Sequence, residues 1–181
     1  DTFSRTFYMT LNALPEIVIS SDLGTEISLG LTTRLIATGG VSYQWSNNRG
    51  IISGQNSSVL TIRPLETTTY TVTATNASGC TSTKSITINV KEDYLALKYN
   101  NIVTPNGDGI NDYWVVENID AYPNNFVKVF DERGLELFSK RGYTNNWDLT
   151  YKNTPLAKGT YYYIIEFGTG KLPVKGFITV L

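Results

Sequence analysis

The stretch Thr104-Pro-Asn-Gly-Asp-Gly-Ile-Asn-Asp-Tyr-Trp114 sets two glycines, one proline and four Asn or Asp residues in eleven positions. Oxygen-bearing side chains at this density can hold a hard cation. In a twelve-position calcium loop the ligands come from positions 1, 3, 5, 7, 9 and 12, with Gly at 6. Setting Asp108 and Gly109 at positions 5 and 6 puts Thr104 at 1, Asn106 at 3, the Ile110 carbonyl at 7 and Asp112 at 9. Position 12 is then Val115, so the bidentate acid is missing, and calcium would need water or a distant carboxylate such as Asp148 or Glu117. The candidate calcium ligands are therefore Asn106, Asp108, Ile110 and Asp112. The same residues also suit two consecutive tight turns, in which Asn and Asp side chains cap backbone N–H groups and no ion is needed. Asp108 and Asp112 as the acid and base of a glycosidase is a weaker reading, because two carboxylates in one glycine-rich loop more often shape turns or hold ions.

Other reactive chemistry is scarce. The chain has no histidine and a single cysteine, Cys80. Ser-His-Asp and Cys-His nucleophilic sites need an imidazole, and catalytic zinc needs His or clustered Cys; no enzyme is expected. Without a partner or a nearby imidazole, Cys80 reads as a small hydrophobe at a loop. With 15 Lys+Arg against 16 Asp+Glu the net charge is -1, which gives neither the basic footprint of a nucleic-acid binder nor a polybasic membrane tether. No apolar run approaches the ~20 residues that span a bilayer, and no charged-then-apolar leader is present. The chain opens on Asp1 and is expected to be a fragment of something longer.

The elements that must carry the loop are strands. Charged residues make up 17% of the chain, while Thr and Tyr number 24 and 12, a composition rich in strand formers. Short alternating runs recur between Gly, Asn, Ser and Thr turns, and helical periodicity is nearly absent. The expected fold is all-β, two immunoglobulin-like antiparallel β-sandwich domains in tandem. Residues 1–14, where Phe7, Met9 and Leu11 alternate, read as the end strand of a preceding repeat or a linker. A first domain over 15–91 offers the runs EIVIS, EISLGL, RLIAT, VSYQWS, SVLTI, TYTVTAT and SITINV, enough for a sandwich. Val41, Tyr43 and Trp45 are expected on its core side, as are Tyr70, Val72 and Ala74, with Thr71, Thr73 and Thr75 facing solvent. Trp45 and the Tyr70-Thr71-Val72 corner match immunoglobulin landmarks, with Val72 where the second bridging cysteine would stand.

"VSYQW" followed by "LTIRPLETTTYTVTATNASGCTSTKSITINV" resembles the PKD-like, immunoglobulin-like repeats of long bacterial surface proteins. The segment 92–181 supplies the runs YWVVEN, FVKVFD, LELFSK, TYYYIIEF and GFITVL, with Asp131-Glu-Arg-Gly134 and Gly168-Thr-Gly170 as hairpin turns. Five features in order, Thr104 to Asp112, Tyr122-Pro-Asn124, Trp147-Asp148, Gly159-Thr-Tyr-Tyr-Tyr163 and the terminal Gly176-x-Ile-Thr strand, resemble the gliding motility-associated C-terminal domain. That family is the type B sorting domain of the type IX secretion system. Three positions depart from its habit: Val103 stands where an aromatic is common, Asp131-Glu-Arg-Gly134 replaces Asn-Arg-Trp-Gly, and Leu149 replaces the glycine of Trp-Asp-Gly.

The resemblance implies a non-catalytic module that is recognised folded, after passage through the periplasm, for export to the cell surface or medium. Its expected partners are an outer-membrane shuttle or translocon protein and a type B-specific outer-membrane partner. The expected contact residues are Thr104, Pro105, Asn106, Gly107, Asp108 and Gly109 in the loop, and Gly176, Phe177, Ile178, Thr179, Val180 and Leu181 in the last strand, whose edge could accept a partner strand. The passenger upstream would be a gliding adhesin. The alternative is a calcium-dependent adhesive or carbohydrate-binding module. An aromatic platform of Tyr161, Tyr162, Tyr163 and Trp147 for sugar is limited by alternation, since at most two of the three tyrosines share a face.

Overall fold

The computed structural model describes residues 11–168 and 170–181. Phe7 and Met9, two of the three alternating residues expected near the start, lie outside the described residues, and Leu11 is exposed with no strand assigned. Backbone contacts divide the chain into two compact units. One comprises the described residues up to Ile27 with Leu31–Lys91, and the other Ser28–Gly30 with Glu92–Leu181.

The first unit contains β1 (Val18–Ser21), β2 (Glu26–Ser28), β3 (Thr33–Thr38), β4 (Ser42–Trp45), β5 (Ile51–Ser53), β6 (Val59–Ile62), β7 (Thr68–Thr75) and β8 (Thr81–Lys91). They form two four-stranded sheets, β1-β3-β6-β5 and β2-β8-β7-β4. Alternation decides the core: Leu35, Leu60, Ile62, Tyr70, Val72 and Ala74 are all within 1% of full burial, while Thr69 and Thr71 bond across to Thr87 and Ser85 on the solvent side. Trp45 pairs with Val72 across β4 and β7 and donates its indole N–H to the Ser57 carbonyl. Tyr70 bonds the Arg49 carbonyl, so the tyrosine-corner bond exists but reaches a distant upstream loop. Val41 departs from expectation at 70% exposure, because it precedes β4 and is not constrained by the pleat. The strand β5 carries no period of its own in three residues, and no sequence pattern marks it.

The second unit contains β9 (Lys98–Tyr99), β10 (Ile102–Val103), β11 (Val116–Glu117), a 3₁₀ turn (Ile119–Ala121), β12 (Phe126–Phe130), β13 (Glu136–Arg141), β14 (Thr150–Tyr151), β15 (Thr154–Pro155), β16 (Gly159–Glu166) and β17 (Val174–Val180). Its main sheet has the order β10-β17-β16-β12-β13, and the ribbons β9-β11 and β14-β15 stand apart from it. Within that sheet β10 runs parallel to β17, and the other neighbours are antiparallel. The inner face presents Val127, Val129, Tyr163, Ile165, Ile178 and Val180 to the core. Trp114 packs on Tyr163 and Tyr143, and Phe138 stacks on Trp147. Burial of the Tyr163 ring pushes its hydroxyl up to about 12. Among the described residues no helix is long and apolar enough to cross a membrane.

Candidate functional site

The loop Thr104–Asp112 springs directly from β10, which lies against β17 in the pairs Ile102 with Thr179 and Val103 with Val180. The Leu181 N–H donates to the Val103 carbonyl at 3.0 Å. Two segments expected to contact a partner, far apart in sequence, therefore meet at one end of the sheet.

Within the loop the oxygens are taken by the loop's own N–H groups. Asp112 Oδ1 accepts from the backbone of Asn106 at 3.0 Å and of Gly107 at 2.7 Å, and Oδ2 accepts from Gly109 at 2.7 Å. Asp108 accepts from the Ile110 N–H and from the Asn106 amide, while Asn106 Oδ1 accepts from the Asp108 N–H. The Ile110 carbonyl accepts from the Thr104 hydroxyl. Gly107 and Gly109, at φ +78° and +85°, supply the left-handed turns that point these N–H groups inward. All four expected calcium ligands thus already accept hydrogen bonds. An ion here would have to recruit their remaining lone pairs and a further shell from water. Asp148 instead caps Thr150, and Glu117 pairs with Lys98; among the described residues no three acidic, His or Cys side chains cluster as a metal group.

The bonds from Gly107 and Gly109 hold the Asp112 carboxyl below its usual range against the opposing effect of desolvation, and a bond from Asn106 adds the least. A folded-state pKa depressed in this way contributes stability that is complete above the unfolded aspartate value, about pH 4, and is lost as pH falls through the lower folded value. Asp112→Asn, which turns one acceptor oxygen into a donor facing the Gly109 or Gly107 N–H, is expected to lower the melting temperature at pH 7. That difference should shrink steadily as the pH is taken down from about 4. A gap between wild type and variant that stays constant down to strong acid would refute the role given to the carboxylate.

The terminal strand divides by face. Ile178 and Val180 are core residues, 0% and 2% exposed, whereas Phe177 and Leu181 are exposed at 49% and 57%. Gly176 packs over the Tyr163 ring so closely that a Cβ would fall 2.4 Å from the phenolic oxygen; its small size serves this contact. Tyr161 and Tyr163 point inward and Tyr162 outward, and Trp147 is buried, so the four do not form an aromatic platform. Sequence patterns did not single out Asn125, which is 2% exposed. It follows Tyr122-Pro-Asn124 and ties the start of β12 to Tyr143. Its Nδ2 donates to the Tyr122 and Tyr143 carbonyls at 2.8 and 3.2 Å, and its Oδ1 accepts from the Tyr143 N–H at 2.8 Å. A polar residue beside a strand start, in a run of turn formers, gave no local signal of burial. Cys80 is half-buried, its thiol 4.0 Å from the Asn12 carbonyl.

The described residues of the second unit form an all-β domain with its own aromatic core. Residues 97–180 match the model of the CHU_C type IX secretion signal domain. Such a domain marks the protein for export to the cell surface or extracellular space, and neither it nor an immunoglobulin-like sandwich is a catalytic kind of domain. A search of curated proteins gave no match. Among solved structures, the chain is similar to Sidekick-1 immunoglobulin domains 1–5 at 16% identity, covering 93% of this chain and 38% of that one, with a TM-score of 0.41. It is similar to the Bacteroides ovatus mixed-linkage glucan utilization locus SGBP-B, in complex with a mixed-linkage heptasaccharide, at 15% identity over 87% of this chain and 44% of that one, TM-score 0.37. Dimeric latent PorU from Porphyromonas gingivalis matches at 13% identity over 86% of this chain and 18% of that one, TM-score 0.29. The chain spans less than half the length of each of these structures.

Proposed function

We propose that the chain is the end of a large exported surface protein, a gliding adhesin, in which an immunoglobulin-like stalk repeat over 15–91 precedes a sorting domain over 92–181. An outer-membrane shuttle or translocon protein, together with a type B-specific partner, recognises the sorting domain in its folded state. The observation that carries this reading is the family match at residues 97–180, a stretch that coincides with a compact unit having its own aromatic core. Recognition in the folded state is supported by the way its contact elements are made. The loop at Thr104–Asp112 and the end of β17 are neighbours only through the β10–β17 pairing, so an unfolded chain would not present them together.

The test is export of a reporter carrying an inner-membrane signal and the full chain, in cells that have the type IX system and the type B partner. The reporter with the complete chain is expected at the surface or in the medium, and one truncated after Lys91 is expected to remain in the periplasm. Periplasmic retention of both would refute the sorting role.

A further inference from the structure

The two edges of the main sheet in the second unit are built differently. On the β13 edge, Glu136, Lys140 and Arg141 and the register shift at Val129/Phe130 guard the strand, in the manner by which proteins prevent strands from adding to a sheet. On the other edge β10 is only two residues long, and the Asn100 side chain caps the Ile102 N–H. The hydrogen bonds of β17 to β10 begin at Thr179, whose N–H reaches the Asn101 carbonyl at 2.8 Å, and continue at Leu181. Backbone N–H groups alternate sides along a strand, so those of Lys175 and Phe177 point the same way as that of Thr179, past the end of β10. This stretch of β17 is an open edge.

One row of outward side chains beside it is apolar. Phe177 pairs with Tyr162, and Tyr162 with Phe130, in one row across β17, β16 and β12. Phe177 and Tyr162 are 49% and 50% exposed, and Ile102 is 52% exposed on the same side. The charge around the row is distributed unevenly. Lys128 is paired with Glu166, and Arg141 lies over the Phe126 ring, while Lys175 at the open edge has no ion-pair partner among the described residues. An apolar row beside unpaired main-chain groups and a free ammonium is complementary to a strand carrying apolar side chains and a carboxylate.

We propose that the open edge of β17 at Lys175–Phe177 accepts an extended strand of the outer-membrane secretion partner, seated on the Phe177–Tyr162 row and carrying a carboxylate to Lys175. This rests on the sorting-domain reading and places its recognition surface above β10, where the Gly176–Leu181 strand still has main chain to offer.

The experiment uses the same full-chain reporter. Phe177→Glu and Lys175→Glu are expected each to lower export by about tenfold or more, as loss of a central contact does, while Ser139→Glu on the guarded side leaves it unchanged. Near-ultraviolet circular dichroism and melting of the purified chains establish that each variant is folded. Lys175→Pro, which deletes an open N–H and no ladder bond, is a second way to close the edge and should also block export. Wild-type export of the folded Phe177→Glu and Lys175→Glu variants overturns the docking edge and leaves the sorting role intact. Periplasmic retention of the wild-type chain overturns both. A wild-type dimer in sedimentation that Phe177→Glu converts to monomer overturns the partner assignment, because the edge would then belong to a second copy.

Discussion

Asn125→Ala is expected to destabilise the second unit by about 3–5 kcal/mol, because it strands a buried N–H and a buried carbonyl at about 1–3 kcal/mol each and also removes the favourable bonds themselves. The side chain fills three hydrogen-bonding roles at 2% exposure. The Tyr122 carbonyl keeps a bond from the Asn125 backbone N–H, so the heaviest loss falls on Tyr143. That residue is itself fully buried, donates its hydroxyl to the Trp114 carbonyl at 2.5 Å, and packs its ring on Trp114. A loss of this size is a large fraction of the roughly 5–15 kcal/mol available to a domain. Asn125→Asp should fare no better, since it keeps the acceptor for the Tyr143 N–H but turns a carboxylate toward two carbonyls. The exposed neighbour gives the control: Asn124→Ala is expected to stay within about 0.5 kcal/mol of wild type. Urea titration followed by near-ultraviolet circular dichroism reports on the aromatic core of this unit. A midpoint for Asn125→Ala close to that of Asn124→Ala would show that the clip is dispensable.

The parts of the fold that could be read from the sequence are those in which one strand carries its own pattern. Leu35 and Ala37 in β3, Tyr70, Val72 and Ala74 in β7, and Val127 and Val129 in β12 alternate with polar or half-buried positions and mark their buried face without reference to any neighbour. Strands of two residues such as β9, β10, β14 and β15 have no period to detect. The pairing of β10 with β17 joins residues almost a domain apart and converts the terminal strand from an expected edge into an inner strand over Thr179 and Val180. No local signal specifies such a pairing. The candidate site follows the same rule. Asn-Gly and Asp-Gly announced the turns of the Thr104–Asp112 loop, because φ above zero is written into those dipeptides. That Asp112 gathers three N–H groups is a property of how the turns close on one another. The aromatic row was invisible because Phe130, Tyr162 and Phe177 come from three strands and meet only through register. Reading Tyr161, Tyr162 and Tyr163 as one cluster missed the neighbours that matter.

At Leu149 the usual ranking of alanine over glycine is expected to reverse. The residue stands where the family commonly has glycine, and the structure gives the reason for glycine there: φ is +60°, a left-handed conformation that costs an L side chain about 1–2 kcal/mol. Leucine is nonetheless held, at 1% exposure, and full burial of such a side chain contributes about 1.5–3 kcal/mol, which outweighs the strain. Its carbonyl accepts the Leu156 N–H at 2.9 Å, so the turn is fixed from both main chain and side chain. Leu149→Ala forfeits the burial, leaves a cavity and keeps the strained φ, for a loss of about 2–5 kcal/mol. Leu149→Gly forfeits the same contacts but relaxes the backbone, and should be the more stable of the two by up to about 1 kcal/mol, where an ordinary strand or helix position would show the opposite sign. Melting curves of the two variants decide the matter through their order alone. If alanine proves the better replacement, the left-handed turn is not a constraint at this position, and the substitution of leucine for the family's glycine carries no conformational cost.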